Sequence, residues 1–177
     1  MKKVRIDEFI EANFNIGTVD EIGRIIMAGK VLNNNQPIYK PSEMIRPDKA
    51  DIRFKNIKSF VSRGGLKLKH AIDSFDISLD KKVMIDIGSS TGGFTDCALQ
   101  NGASLVYAVD VGTNQLDYKL RVHPDVIVKE QTNFKSTESG DFNPPPEIMT
   151  IDVSFTSIVP ILRHIRELFD HPFEIVA

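Results

Sequence analysis

The chain has 177 residues, 41% of them hydrophobic and 26% charged, with 22 Lys and Arg against 24 Asp and Glu. That length allows one medium domain or two small ones with a real core, and the composition excludes a disordered or fibrous protein. The sequence contains no apolar run of about 18 residues and no signal-peptide core, and its single cysteine, Cys97, excludes an internal disulfide or a cysteine-rich zinc site. We therefore expect a soluble, cytoplasmic protein.

The first 59 residues predict a small α+β unit. One helix is expected to begin near Asp7. A second is expected to follow Thr18, because Thr18-Val19-Asp20-Glu21 fits a capping box and Gly29 stands where a helix stops. Short strands are then predicted over residues 30–32, 37–39 and 51–54, separated by asparagine- and proline-containing turns.

Helical and extended patterns alternate in residues 60–177. Helices are predicted over residues 67–75 and 94–100 and, approximately, 115–121 and 157–169. Strands are predicted over residues 83–87, 105–110, 126–128, 148–152 and 173–177. Strands that alternate with helices predict an α/β fold with a mostly parallel sheet covered on both faces.

The near-zero net charge conceals an uneven distribution. Residues 1–60 hold 11 Lys and Arg against 8 Asp and Glu, whereas residues 61–177 hold 11 against 16. A modestly basic head on an acidic body fits a small polyanion-binding module fused to an enzyme. Chance scatter explains so small an excess equally well.

A glycine-rich loop follows the first strand of the α/β region, with the sequence Asp86-Ile87-Gly88-Ser89-Ser90-Thr91-Gly92-Gly93-Phe94. The carboxyl end of a strand is where such sheets bind ligands, and glycines let the backbone approach a ligand closely. Asp110 ends the next strand, where a carboxylate can accept hydrogen bonds from both hydroxyls of a ribose. A tight strand-to-helix turn explains the glycines but not Asp110, so the pattern favours a nucleoside site.

The spacing of the loop bears on which nucleoside binds. NAD sites commonly have G-x-G-x-x-G facing a pyrophosphate. Here the glycines are spaced G-x-x-x-G-G, and Asp86 precedes them. A carboxylate beside the loop would repel a pyrophosphate but suits the cationic groups of S-adenosylmethionine (SAM), which we favour over NAD.

Three segments and three shorter matches occur in an order that resembles one family. The segments are residues 60–68, residues 86–96 and Asp152-Val153-Ser154-Phe155, and the shorter matches are residues 108–112, Gln115-Leu116 and residues 131–133. Together they resemble the hemolysin TlyA family of RNA methyltransferases over essentially the whole chain.

The resemblance implies two domains. An S4 RNA-binding domain with its linker would occupy residues 1–59, and a Rossmann-like, FtsJ-like SAM-dependent methyltransferase domain would occupy residues 60–177. The implied reaction transfers a methyl group from SAM to a ribose 2′-hydroxyl of ribosomal RNA, typically at a cytidine.

Site residues follow from the same resemblance. Lys67 and Asp152 match two members of a Lys-Asp-Lys-Glu catalytic tetrad, in which the lysine would help to remove or redirect the hydroxyl proton and Asp152 would orient it. The expected SAM-binding residues are Asp86, Gly88, Ser90, Gly92, Gly93, Phe94, Asp110 and Asn133. The expected RNA-binding residues are Arg5, Arg24, Lys30 and Arg63.

The chain departs from the family pattern in two places. Thr18-Val19 stands where the family commonly has Ser-Arg, which would weaken RNA binding or shift it to the cations Arg53, Lys55 and Lys58. The segments that carry the second lysine and the glutamate of the tetrad would follow Ala177. We therefore expect a C-terminally truncated sheet, short of about seven strands, and no turnover by these residues alone.

Alternative functions remain. The chain could be a non-catalytic RNA-binding protein with a vestigial SAM fold, or an NAD oxidoreductase, which the loop spacing disfavours. Only the family's name suggests a pore-forming hemolysin, and no amphipathic membrane helix supports it. The four histidines show no metal-ligand spacing and are expected at the surface, while Cys97 is expected to pack inside a helix.

Overall fold

A computed structural model of the chain describes residues 2–55, 60–154 and 156–177. They divide into two units, Met1–Phe60 and Val61–Ala177. Two residues named above, Lys58 and Phe155, lie outside the described residues.

The N-terminal unit combines two helices with short antiparallel strands. In chain order the elements are β1 (Val4–Arg5), α1 (Ile6–Asn13), α2 (Val19–Met27), β2 (Val31–Asn33), β3 (Gln36–Ile38), β4 (Met44–Ile45) and β5 (Ile52–Phe54). Strand β1 pairs with β4, and β2 lies between β3 and β5. The sequence analysis missed β1 and β4 because strands of two residues are too short to show an alternating pattern.

The predicted capping box of α2 is confirmed. The Thr18 backbone N–H donates to Glu21 Oε2 at 2.7 Å, and the Glu21 backbone N–H donates to Thr18 Oγ1 at 3.5 Å. Gly29 follows the helix with φ of +67°, as expected for a helix stop. Isoleucines at helical spacing from both helices then fill the core of this unit, namely Ile6, Ile10, Ile22 and Ile26.

The C-terminal unit is an α/β fold, as predicted. Its elements are α3 (Gly64–Phe75), β6 (Val83–Ile87), α4 (Gly93–Gln100), β7 (Leu105–Val109), α5 (Tyr118–Arg121), β8 (Val126–Lys129), β9 (Ile148–Ile151), α6 (Val159–Leu168) and β10 (Glu174–Val176). Within the described residues, β6 to β10 form a parallel five-stranded sheet in the order β10-β9-β6-β7-β8. Chain order reverses between β6 and β9, and such a switch point opens a crevice at the carboxyl ends of the strands.

Apolar side chains cover both faces of the sheet. Ile85, Tyr107 and Met149 lie side by side on β6, β7 and β9 and pack with Ile161 and Ile165 of α6. On the other face Ala108 packs with side chains from α5 and the loop before it, namely Leu116 and Leu120. Every residue of β6 is buried, which is typical of a central parallel strand.

The helix predicted over residues 115–121 is shorter than expected. Helix α5 begins at Tyr118, and the Asp117 side chain caps it by accepting from the Lys119 backbone N–H at 2.9 Å. The backbone N–H groups of Gln115 and Leu116 donate instead to the Glu130 carboxylate, at 2.9 and 3.0 Å. This side-chain acceptor holds residues 114–116 as a loop.

Searches of the described ranges found no helix long and apolar enough to cross a membrane and no metal-binding group of three or more His, Cys, Asp or Glu. None of the four histidines is buried: His70 is exposed, and His123, His164 and His171 are partly exposed. A ring nitrogen of His164 lies 3.0 Å from the Thr137 carbonyl oxygen, and one of His171 lies 2.7 Å from that of Pro146. Cys97 is buried in α4, as expected, and burial raises the pKa of its thiol to about 12.

Candidate functional site

Two adjoining clefts open at the carboxyl ends of β6, β7 and β9. The larger cleft has a volume of about 630 Å³ and lies between the loops that follow these strands and residues 132–135. The smaller cleft has a volume of about 400 Å³ and lies between the glycine-rich loop and the start of α3. The two clefts share four lining residues, Gly88, Ser90, Asp152 and Ser154. Strand order places this shared wall at the switch point of the sheet.

Most of the site residues predicted in the C-terminal unit line these clefts. Asp110 and Asn133 line the larger cleft, and both clefts reach Gly88, Ser90 and Asp152. The smaller cleft adds Lys67, which is predicted to be catalytic, and Arg63, which is predicted to bind RNA. It also adds three of the residues predicted to bind SAM, namely Asp86, Gly93 and Phe94. Gly92 is not among the lining residues, because Leu116 and Leu120 side chains pack where its Cβ would lie.

The loop after β6 has an unusual backbone. Gly88, Ser90 and Gly92 all have positive φ, at +85°, +49° and +93°. For Ser90 this conformation is costly, since it carries a side chain. Its backbone N–H donates to Asp110 Oδ2 at 2.8 Å, so the carboxylate at the end of β7 holds the loop in place.

Gly88 is required by the protein itself. A Cβ on Gly88 would lie 2.8 Å from the backbone oxygen of Asp152 and 2.9 Å from a methyl group of Val153. The glycine was expected to let a ligand approach the backbone closely. In the structure, the chain that leaves β9 already approaches Gly88 this closely.

Gly93 has a comparable role between helices. A Cβ there would lie 2.8 Å from the backbone nitrogen of Gly65, in the first turn of α3. Gly65 and Gly93 therefore let α3 and α4 approach each other closely. This approach brings Lys67 of α3 to the smaller cleft.

Asp86 is buried and hydrogen-bonded within the protein. Its side chain is 1% exposed, and Oδ2 accepts from the backbone N–H of Thr95 at 3.0 Å and from its hydroxyl at 2.7 Å. Thr150 lies beside Asp86 on the neighbouring strand, and its hydroxyl donates to Oδ1 at 3.1 Å. Burial raises the pKa of Asp86 to about 6, although these hydrogen bonds act in the opposite direction. The carboxylate thus ties α4 to β9, and direct contact with a cofactor stays a prediction.

Asp110 also accepts hydrogen bonds from the backbone, but its carboxylate can accept further ones. Its Oδ2 accepts from Ser90 and its Oδ1 accepts from the Gly112 N–H at 2.7 Å. Each carboxylate oxygen can accept more than one hydrogen bond. Because Asp110 lines the larger cleft, it can still accept from two hydroxyls of a ligand.

Lys67 and Asp152 form an ion pair in the smaller cleft. Lys67 Nζ lies 2.9 Å from Asp152 Oδ2 and 3.3 Å from Oδ1. The side chains are 66% and 44% exposed, so a bound polar group can reach both. Helix α3 supplies the lysine and the end of β9 supplies the aspartate, although 85 residues separate them in sequence.

Sequence reasoning missed part of the site. Lys135 and Thr132 line the larger cleft, and Glu130 lies beside them and bonds the loop that carries Gln115. These residues follow β8, a fourth strand whose carboxyl end faces the larger cleft. One feature of the sequence could have identified them: like Asp110, they lie at or after the end of a predicted strand.

The three cations predicted to bind RNA in the N-terminal unit differ in availability. Arg24 and Lys30 are exposed. Arg5 is exposed too, but it binds the Asp7 carboxylate through two nitrogens, at 2.6 and 3.1 Å, and lowers the pKa of that buried acid. The Lys55 N–H donates to the Lys30 carbonyl at 2.8 Å, which brings a second lysine next to Lys30.

Comparisons with known proteins were made on the sequence and on the structure. The profile of a family described as FtsJ-like methyltransferase matches residues 60–176. A candidate rRNA methyltransferase named YqxC, from Bacillus subtilis, is 50% identical over 92% of this chain and 59% of its own length. The Mycobacterium tuberculosis protein named 16S/23S rRNA (cytidine-2′-O)-methyltransferase TlyA is 32% identical over 91% of this chain and 60% of its own length.

A solved structure agrees with these relatives. A candidate hemolysin from Streptococcus thermophilus has a TM-score of 0.61 and 45% identity, covering 95% of this chain and 62% of that one. The chain thus spans about three fifths of the length of the proteins it matches.

Proposed function

The chain belongs to the FtsJ-like methyltransferase family, and we propose that it provides the SAM-binding residues and the Lys67–Asp152 pair of a site that transfers a methyl group from SAM to a ribose 2′-hydroxyl of ribosomal RNA. The name of the Mycobacterium tuberculosis relative supports the substrate, with cytidine as the target. The observation that carries the proposal is the shared wall of the two clefts. A methyl donor in one cleft and a hydroxyl in the other would meet at Gly88, Ser90 and Asp152.

The larger cleft fits SAM. Its volume of about 630 Å³ lies within the range of small-molecule sites, about 300–1,000 Å³. Asp110 would accept from the ribose hydroxyls and Asn133 would lie near the adenine, while the loop from Gly88 to Gly92 would face the methionine end. SAM would supply an activated methyl group, and the chain's residues would hold it beside the smaller cleft.

Lys67 and Asp152 would act on the RNA hydroxyl. Asp152 would accept its hydrogen bond and orient the oxygen toward the methyl group, and positioning of this kind accounts for much of the rate of such transfers. The Lys67 ammonium, 2.9 Å from Asp152, would stabilise the negative charge that develops on the oxygen, and the hydroxyl proton would leave to the Asp152 carboxylate or to water. Arg63 lines the same cleft and would contact an RNA phosphate.

The N-terminal unit would dock on RNA as an S4 domain. Arg24 and Lys30 are exposed, and Lys55 adjoins Lys30, so these cations would contact phosphates. Each lost phosphate contact should lower the slope of log affinity against log salt by about 1. Filter binding of rRNA fragments to Arg24→Ala and Lys30→Ala across a salt series measures this, with Lys40→Ala as a control, and unchanged slopes would refute the docking proposal.

Calorimetric titration tests the cofactor assignment. Wild type should bind SAM and not NAD, Asp110→Ala should lose most of that affinity, and Asp141→Asn, outside both clefts, should retain it. Equal SAM affinity in Asp110→Ala and wild type would refute the assignment.

The reaction is tested in cells. Mass spectrometry of rRNA should show one or more 2′-O-methylated nucleotides that disappear when the gene carries Asp152→Ala. An unchanged methylation pattern would contradict the proposed activity.

A further inference from the structure

We propose that Glu130 is a positioning residue that fixes residues 111–116, the loop forming one wall of the larger cleft. The inference rests on the proposed function, because it takes that cleft to be the SAM site. Glu130 follows β8 and does not itself line the cleft.

The Glu130 carboxylate gathers four donors. Oε2 accepts from the backbone N–H of Asn114 at 2.8 Å, and Oε1 accepts from those of Gln115 and Leu116 at 2.9 and 3.0 Å. Arg121 of α5 donates to Oε1 at 2.7 Å. The side chain is only 10% exposed, so water does not replace these contacts easily.

Three successive backbone N–H groups facing one point form a nest, a concavity that binds an anion. Here the anion is a side chain of the same protein. The Arg121 side chain, followed by the backbone donors, lowers the pKa of Glu130 to about 2, so the group stays ionised at any physiological pH. The loop conformation is thus held by a permanent charge.

The loop depends on Glu130 for its hydrogen bonds. Asn114 has φ of +52°, in the left-handed region that Asn adopts more readily than most residues with a side chain, so backbone strain is not what makes Glu130 necessary. Val111 is exposed, and Gln115 lines the cleft. Without the Glu130 carboxylate, three N–H groups would lose their acceptor at once and the wall would sample other conformations.

The segment that begins at Glu130 joins the same wall at a second place. The Gln131 N–H donates to the Gly112 carbonyl and the Thr132 N–H donates to the Asp110 carbonyl, each at 2.9 Å. Thr132 lines the larger cleft, as does the neighbouring Asn133. Glu130 and the two residues after it therefore bond one side of the proposed adenosine site, residues 110–116, and lead directly into the other side, residues 132–133.

Calorimetric titration with SAM tests the inference on wild type and Glu130→Gln. Glutamine keeps the length but removes the charge and points an N–H₂ group at N–H donors. We expect the SAM affinity to fall roughly tenfold or more. Asp141→Asn is the matched control, because Asp141 also accepts a backbone N–H and a cationic side chain but lies away from the cleft. It should bind SAM as wild type does.

Two further readouts separate positioning from general destabilisation. Arg121→Lys retains a cation for Glu130 and should keep SAM affinity within about threefold. In the unmodified chain without SAM, the amide hydrogens of Asn114, Gln115 and Leu116 should exchange slowly, and Glu130→Asp, whose shorter side chain cannot reach all three, should speed them selectively.

The outcomes are distinct. If wild type does not bind SAM, the proposed function fails. If wild type binds and both Glu130→Gln and Glu130→Asp bind equally well, or if Asp141→Asn loses as much affinity, the positioning role is overturned. Should Glu130→Gln not fold, Glu130→Asp and the exchange rates of the unmodified chain decide, and rapid exchange of the three amides would overturn the inference.

Discussion

Replacing Asp86 with asparagine should change how the stability of the C-terminal unit depends on pH. The side chain is 1% exposed, and burial raises its pKa from an ordinary value of 3.8 to about 6. Asparagine has the same shape. It can accept from Thr95 through its oxygen and donate to the Thr150 hydroxyl through its nitrogen, so packing and hydrogen bonding are retained.

The sign follows from proton binding. Between about pH 4 and pH 6 the folded state keeps a proton on Asp86 that the unfolded state has lost, so the contribution of Asp86 to stability is full below pH 3.8 and is lost as the pH rises through 6. At about 1.4 kcal/mol per pKa unit, the shift is worth about 3 kcal/mol. The unfolding free energy of Asp86→Asn minus that of wild type should therefore rise by about 3 kcal/mol between pH 3.5 and pH 7.

Amide hydrogen exchange of the β6 residues measures this free energy for the C-terminal unit alone. Other titrating groups are common to the two proteins and cancel in the difference. Glu130→Gln supplies a control of opposite sign, because the pKa of Glu130 is lowered to about 2. Its stabilising contribution is present above 4.5 and lost as the pH falls toward 2, so that variant should lose stability relative to wild type as the pH rises from 3 to 5.

A difference between Asp86→Asn and wild type that stays constant from pH 3.5 to pH 7 would refute the reasoning. It would mean that Asp86 titrates near its ordinary value, so that its hydrogen bonds to Thr95 and Thr150 fully offset burial. A difference that falls with pH would mean that the ionised carboxylate stabilises the fold.

Three further predictions concern packing. Gly88→Ala should cost about 2–4 kcal/mol of unfolding free energy and weaken SAM binding, because a Cβ at φ of +85° meets the Asp152 carbonyl; chemical denaturation and calorimetry measure both, and a neutral variant would contradict the crowding. Thr18→Ala should destabilise α2 by about 1 kcal/mol, seen as faster amide exchange confined to the N-terminal unit. Cys97 should resist a thiol reagent at pH 8 until the protein unfolds, since burial raises its pKa to about 12, and rapid labelling of the folded chain would argue against its burial.

Regular patterns made much of the C-terminal unit predictable. A mostly apolar run identified β6 as a buried strand, and the rule that ligands bind at the carboxyl ends of strands indicated Asp110, whereas Asp152 came from the TlyA-like motifs. The TlyA-like motifs added Lys67, which on its own is an ordinary exposed helix residue.

The remainder depended on contacts that no local pattern encodes. Residues 115–117 have helical propensity, yet Glu130, distant in sequence, takes their N–H groups and prevents the helix. Asp86 was expected to bind the cationic cofactor, which stays a prediction, but its hydrogen bonds from the Thr95 and Thr150 hydroxyls could not be foreseen. In both cases a side chain bonds a partner that lies on another element, and sequence spacing does not reveal such pairs.

Asp152 shows why cofactor and substrate binding should be coupled in this fold. Its backbone oxygen lies against Gly88, and its carboxylate binds Lys67. The ladder between β6 and β9 fixes the ends of the two strands relative to each other, so a shift of the glycine-rich loop after β6 would press directly on Asp152 after β9. Strand order makes this contact, because β6 and β9 are neighbours only where the sheet reverses direction. A ligand that binds in the larger cleft and fixes the glycine-rich loop should thus also fix the position of the Lys67–Asp152 ion pair in the smaller cleft.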